Sequence, residues 1–127
     1  MNKEIKDYLE VMNGLLPING SLSIPEFERR AGEFLTALAK LADWRHILSE
    51  EKIKLTSVSL AVYADQLSKS TEKTVTASKT IIEASAEYTS AREDLEYIEN
   101  DLSYLKTHHE IYLNAHLFYR QLMKETQ

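Results

Sequence analysis

The chain has 127 residues, which is enough for one domain with a modest core. Its 3 glycines and 2 prolines are too few for the turns of a sandwich or a barrel, so an all-β fold is excluded. With 0 cysteines the sequence has no disulfide or thiolate chemistry, and its net charge of -5 argues against nucleic-acid binding by bulk attraction.

The first predicted elements are a short helix with a loop in residues 1–23 and a long helix in residues 24–64. The long helix has a typical start at Ser23, Pro25 and Glu26. The serine hydroxyl can accept a free amide proton of the first turn, and proline fits that turn because its missing donor is not needed there. These features predict the beginning of the helix at residue 24.

The repeat in residues 24–64 has the period of one continuous helix, because apolar residues recur at spacings of three, four and seven up to Val62. Polar side chains enter this repeat near residues 44–52, where we expect a bend or a change of packing partner. Residues 65–80 are rich in serine, threonine and lysine and carry few apolar side chains. They are predicted to be a polar, basic connector that is mobile or consists of frayed helix ends.

Residues 81–125 carry the clearest pattern, two interleaved tracks of seven-residue spacing from Ala84 to Met123. These tracks are the a and d positions of a coiled coil, which predicts a partner helix and an oligomer of this chain. The predicted oligomer interface consists of Tyr88, Ala91, Leu95, Ile98, Leu102, Leu105, His109, Tyr112, His116, Tyr119 and Met123. The predicted fold is therefore all-α, a single domain over residues 1–127 with elongated helices in a helical bundle or coiled-coil oligomer.

The apolar stripe of this last helix widens towards its end. A wider stripe requires more than one neighbouring helix, which favours a bundle or a higher oligomer over a two-stranded coil. The added residues are Ile111, Leu113, Leu117 and Phe118.

The histidines do not have the spacing of metal ligands. His109 and His116 are two helical turns, roughly 10 Å, apart, so one ion cannot bind both. We interpret them as polar seam residues that specify register or oligomer size, with a metal shared between subunits as the alternative. Acidic residues along the last helix form a solvated face, and no catalytic motif is present in the sequence. The sequence predicts a protein that is not an enzyme and has no catalytic residues, metal or cofactor.

Positive charge is concentrated in residues 52–79, which carry 5 lysines against 2 acidic residues, whereas the segments on both sides are net negative. Lysine contacts phosphate without reading sequence, and an exposed tyrosine can stack on unpaired bases. Repetition of this patch in an oligomer would strengthen weak contacts. The alternative is a solvated connector. The predicted nucleic-acid-binding residues are Lys52, Lys54, Lys69, Lys73, Lys79 and Tyr63.

The segment from Lys73 to Glu125 resembles the small helical recombination-mediator proteins of tailed phages, the UvsY-like family. A connector with lysine and threonine leads to an Ala-Glu-Tyr helix start and then to the long heptad helix. The resemblance implies self-assembly through the C-terminal helices and sequence-independent binding of single-stranded DNA. It also implies a recombinase and a single-strand-binding protein as partners.

Three functions follow from these features. The leading hypothesis is an oligomeric recombination mediator that binds single-stranded DNA and assists recombinase loading. The alternative is a non-enzymatic scaffold or adaptor that binds another protein through its coiled-coil face, and a third is an inhibitor whose acidic face occupies a nucleic-acid groove. No segment is apolar over a length that could cross a membrane, so we expect no membrane partner and a cytoplasmic location, in the host cell if a phage encodes the chain.

Overall fold

The computed structural model describes residues 1–17 and 22–125, and within them the chain forms four helices and no strand. These are α1 (Lys3–Asn13), α2 (Ile24–Lys69), α3 (Val75–Glu83) and α4 (Ala86–Glu125). The two long helices, α2 and α4, pack antiparallel, and the predicted all-α fold is confirmed. Residues 18–21 of the predicted loop before α2 lie outside the described residues. None of the helices described is both long enough and apolar enough to cross a membrane.

Helix α2 begins where its sequence predicts. The Ser23 hydroxyl accepts a hydrogen bond from the amide of Glu26 at 3.3 Å, and the Ser23 carbonyl accepts one from the amide of Phe27 at 3.0 Å. The helix ends at Lys69, later than the predicted end at residue 64. An ion pair at i, i+4 between Asp65 and Lys69, with an N–O distance of 3.0 Å, supports this last turn.

The predicted connector in residues 65–80 is largely helical, because it contains the last turn of α2 and most of α3. Thr74 caps α3 by accepting a hydrogen bond from the amide of Ala77 at 3.1 Å. The hydroxyls of Ser70 and Ser78 are 2.8 Å apart, and Ile82 anchors the end of the helix with 2 % of its surface exposed. Ile82 lies two residues beyond the predicted connector. The low apolar content of residues 65–80 therefore does not reveal that α3 is anchored by this buried side chain.

The predicted last helix also begins later than its pattern indicated. Ser85 accepts a hydrogen bond from the amide of Tyr88 at 3.3 Å, and α4 begins at Ala86. Ala84, which the heptad pattern assigned to the seam, is instead the exposed C-cap residue that follows α3. A serine that hydrogen-bonds to the following backbone favours a cap over a helix interior, which explains the break.

The chain divides into two compact units. Unit 1 comprises Met1–Arg45 and Ser103–Gln127, and unit 2 comprises His46–Leu102. The division of α2 falls inside residues 44–52, where the sequence predicts a change of packing partner.

Unit 1 contains α1, the first part of α2 and the last part of α4. Its core is built from large side chains that are almost completely buried. The Phe34 ring contacts the Tyr112 ring with a centroid distance of 5.2 Å, and the Tyr112 hydroxyl donates to the Leu9 carbonyl at 3.1 Å and to Asn13 Oδ1 at 2.8 Å. Tyr112 therefore joins α1 to the helix pair. The largest fully buried side chains in the described residues are Tyr112, Tyr119, Phe34, Leu9, Met12, Leu41 and Leu105, and all belong to this unit.

Arg30 holds the chain at the point where α1 ends. Its guanidinium donates to the Leu15 carbonyl at 3.3 Å and to the Tyr119 hydroxyl at 3.1 Å, and that hydroxyl in turn donates to the Leu15 carbonyl at 2.7 Å. Glu26 accepts hydrogen bonds from both Arg29 and Arg30, which lowers the pKa of its carboxyl group to about 2. Charge-assisted hydrogen bonds thus orient the arginine that holds this segment.

Unit 2 contains the last part of α2, all of α3 and the first part of α4. Its buried side chains are smaller than those of unit 1. They are Ser59, Ser78, Ile82, Ala91 and Leu95. Tyr63 and Tyr88 add an edge-to-face contact with a centroid distance of 5.6 Å, but both remain partly exposed. Since burial of large apolar side chains is the main stabilising contribution, we infer that unit 2 is the less stable part of the fold.

Replacing Tyr112 with phenylalanine tests the connection between α1 and α4. The ring stays, but the hydroxyl that donates to Leu9 and Asn13 is lost, so we expect the free energy of unfolding to fall by about 1–2 kcal/mol in urea titrations. Tyr104→Phe is the matched control, because Tyr104 is an exposed tyrosine on the same helix. Its effect should stay within about 0.5 kcal/mol. Equal losses for the two variants would contradict this role of Tyr112.

The Glu26 carboxyl should contribute to stability in a defined pH range. Its pKa is lower in the folded chain than the ordinary value of 4.5, so its contribution is complete above that value and is lost as the pH falls towards about 2. We expect the free energy of unfolding to depend less steeply on pH between these values in Glu26→Gln than in the unmodified chain. Glu28→Gln, an exposed position on the same turn, serves as control and should leave the slope unchanged. Parallel curves for all three proteins would refute the assignment.

Candidate interaction surfaces

The five lysines predicted to bind phosphate all lie in unit 2, but they do not form one patch. Lys52 and Lys54 lie in the middle of α2, whereas Lys69 is its last residue, Lys73 lies between α2 and α3, and Lys79 belongs to α3. Fifteen helical residues separate Lys54 from Lys69, or about 22 Å along the axis. Lys52 is also partly buried. The set therefore divides into a pair on α2 and a group of three near α3.

Two lysines of the second group are paired with acidic residues of their own helices. Lys69 donates to Asp65 at 3.0 Å, and this hydrogen bond raises the pKa of the ammonium group. Lys79 lies 3.9 Å from Glu83, a longer and weaker contact. Both pairs are solvent-exposed, so they contribute little to stability, but they reduce the positive potential available to a phosphate group.

The fold also changes the charge balance around the lysines. Unit 2 carries 6 Lys and Arg against 11 Asp and Glu, a net charge of -5, whereas unit 1 carries 9 of each and is neutral. The reason is that unit 2 joins the basic segment to the acidic first part of α4 in one compact body. The acidic residues of that part of α4 are Glu87, Glu93, Asp94, Glu96, Glu99 and Asp101. Within unit 2 as a whole, the excess of positive charge in residues 52–79 is therefore outweighed by acidic residues.

Tyr63 is not the exposed aromatic side chain that the sequence predicts. It is half-buried and packs edge-to-face against Tyr88. That contact uses part of the ring surface that would stack on a base, so the expectation of an exposed Tyr63 is wrong. The heptad pattern already placed Tyr88 in a buried seam, but sequence periodicity does not identify which residue covers a given seam position.

The predicted oligomer interface is mostly buried within the single chain. Tyr112 and Tyr119 pack on aromatic residues of α2, with centroid distances of 5.2 Å from Tyr112 to Phe34 and 6.2 Å from Tyr119 to Phe27. The fully or nearly buried members are Ala91, Leu95, Leu105, Tyr112, His116 and Tyr119. The half-buried members are Tyr88, Ile98, Leu102, His109 and Met123. The buried members have little surface left for another subunit, and association through the half-buried ones stays a prediction.

Two histidines of α4 have structural hydrogen bonds. The ring Nδ1 of His116 donates to the Ala31 carbonyl of α2 at 2.7 Å, which fixes the register of the two long helices within unit 1. His108, which the heptad pattern left outside the seam, is buried and donates from Nδ1 to the Tyr104 carbonyl at 3.0 Å. His109 is only half-buried. Residues 1–17 and 22–125 contain no group of three or more potential metal ligands.

An exposed apolar row of unit 1 lies on α4, and we call it the outer α4 face; it is formed by Tyr104, Ile111 and Phe118. These residues are spaced by seven and all are exposed. Ile111 and Phe118 line a shallow groove of about 440 Å³ together with Leu16, Pro17, Asn114 and Ala115. The widening of the apolar stripe was the signal for this surface in the sequence. The sequence predicts that the added residues lie beside the seam and contact a further helix, and in the structure Ile111 and Phe118 are exposed.

No family model, curated protein or solved structure matches the chain. The resemblance to phage recombination mediators therefore stays a hypothesis from the sequence.

Proposed function

We propose that this chain is a non-enzymatic helical adaptor that binds another protein through the outer α4 face. The observation that carries this proposal is the exposed row of apolar side chains next to a groove on a helix whose other apolar side is already packed. Contiguous exposed apolar surface on a folded unit is a common property of protein-binding sites. The spacing of seven along one helix fits a partner helix laid against the groove.

The surroundings of this face indicate the kind of partner. Thr107 and Asn114 lie beside the row, are exposed and carry no charge. A partner helix would therefore present apolar side chains with neutral polar neighbours, and its affinity would depend little on salt. This property distinguishes the adaptor from a phosphate-binding protein, whose affinity falls steeply as salt rises.

The polar side chains of the unit 1 core support a structural rather than a catalytic role. The Tyr112 and Tyr119 hydroxyls and the His116 ring all donate to main-chain carbonyl groups of neighbouring segments. Burial raises the pKa of Tyr112 above its usual range, so this hydroxyl remains protonated and keeps its role as a donor. These groups hold α1, α2 and α4 together.

A photo-crosslinking amino acid at Phe118 tests the proposed face in cells of the source organism. We expect a crosslink to one defined protein, identified by mass spectrometry, and we expect Ile111→Lys in the same chain to abolish it. The same label at Glu110, an exposed charged position on α4, is the control and should give no such product. Crosslinks that are identical at both positions, or that survive Ile111→Lys, would contradict the proposal.

The recombination mediator is the second candidate, supported by the resemblance and by four exposed lysines, Lys54, Lys69, Lys73 and Lys79. A titration of labelled single-stranded DNA at low and moderate salt separates the two functions. Because unit 2 is net negative, we expect no salt-sensitive binding. Binding that weakens with salt and in the double variant Lys69→Ala/Lys73→Ala would instead establish the mediator and place its site near α3.

A further inference from the structure

Helix α2 has an unusual uncharged stretch within unit 2. From Leu55 to Ala64 there is no charged residue, which corresponds to nearly three helical turns. Only one side of this stretch is used by the core, through residues such as Ser59. The exposed part of this stretch carries apolar and small residues where a surface helix usually carries charges.

The exposed residues form a second heptad row on α2, which we call the outer stripe: Ile53, Ser57, Leu60, Ala64 and Leu67. Their spacing alternates between four and three, so they lie on one face of the helix. The large members Ile53, Leu60 and Leu67 are 67 %, 66 % and 43 % exposed. This degree of exposure in three leucine or isoleucine side chains on one line indicates a surface that is covered in the functional state.

We infer that the outer stripe is a self-association surface on which a second copy of this chain packs in antiparallel orientation. The first argument is the alternation of side-chain size. Every second position is large, and the positions between them, Ser57 and Ala64, are small. In an antiparallel helix pair each large residue faces a small residue of the other helix, so the two surfaces interdigitate. A parallel pair would place small residues opposite small ones and leave gaps, which destabilise an interface.

The second argument is charge. Lys54 and Asp65 lie on the same flank of the outer stripe, near its opposite ends. An antiparallel pair related by a two-fold axis brings Lys54 of one copy to Asp65 of the other, and the symmetry produces this contact twice. Asp65 already accepts a hydrogen bond from Lys69, but a carboxylate has further acceptor sites. In a parallel pair the same two residues would lie at different levels.

The third argument is area. The outer stripe extends over fifteen residues, from Ile53 to Leu67, or about 21 Å of helix. Such a contact is smaller than the roughly 800 Å² per partner of a stable interface, so it predicts a reversible dimer whose population depends on concentration. This surface lies on α2, whereas the predicted oligomer interface lies on the seam of α4. The inference is independent of the adaptor function and of its partner.

Sedimentation velocity between about 1 µM and about 500 µM tests the interface. We expect a monomer at the low end and a dimer at the high end. In Leu60→Glu the midpoint should move at least about tenfold higher in concentration, because a charge would be buried at the centre of the stripe. Leu35→Glu is the matched control, since Leu35 is 57 % exposed on the same helix but belongs to unit 1. Circular dichroism verifies that both variants keep their helix content.

Disulfide trapping tests the orientation, and it is unambiguous because the chain has 0 cysteines of its own. Chains with Ile53→Cys mixed with chains with Ala64→Cys should form a crosslinked pair on mild oxidation, because Ile53 faces Ala64 of the other copy in the interdigitated register. Each variant alone should crosslink much less, because the two-fold axis places the positions at opposite ends. The inference is overturned by a monomer at all concentrations, by a dimer that Leu35→Glu weakens as much as Leu60→Glu does, or by preferential crosslinking of either variant with itself.

Discussion

The antiparallel packing of α2 on α4 is the constraint on which the remaining structure depends. Each helix carries a heptad row of apolar side chains, and in this fold the two rows cover each other within one chain. In unit 1 the aromatic pairs between Phe34 and Tyr112 and between Phe27 and Tyr119 fill this seam, while the hydrogen bond from His116 to the Ala31 carbonyl fixes its register. A one-turn slip of α4 would separate both aromatic pairs and leave the histidine donor without its carbonyl. The register is therefore specified by shape and by a polar contact together.

The sequence identified the faces of the helices but not the partners of those faces. The start of α2 at Ile24 and the burial of Leu105 and Tyr112 were predictable, because a cap motif and a seven-residue period are local properties. The period does not show whether a seam packs on a second copy or on the same chain, since both give an apolar row. This ambiguity explains why residues assigned to an oligomer interface are buried in the monomer. The short helix α3 was missed because its anchor, Ile82, lies outside the polar segment that surrounds Lys73.

The charge around the lysines was the property that could be predicted least well from the sequence. A window along the chain counts only neighbours in sequence, and it found an excess of lysine in residues 52–79. Unit 2 also contains the acidic part of α4, so the local potential depends on residues some thirty positions later. The partial burial of Tyr63 also depends on a distant segment, because the ring that covers it belongs to Tyr88 of α4. Features that depend on contacts between distant segments therefore had to come from the structure.

The charge of unit 2 and the outer stripe also limit how copies of this chain can approach each other. A net charge of -5 in one unit opposes association, and all of this net charge comes from the α4 part of the unit. The outer stripe lies about a third of a turn around α2 from the side that contacts α4 through Tyr63 and Gln66, so α4 is not part of a contact formed through it. The uncharged side of α2 is thus the approach on which apolar contact meets the least electrostatic opposition, whereas approach through α4 would bring like charges together.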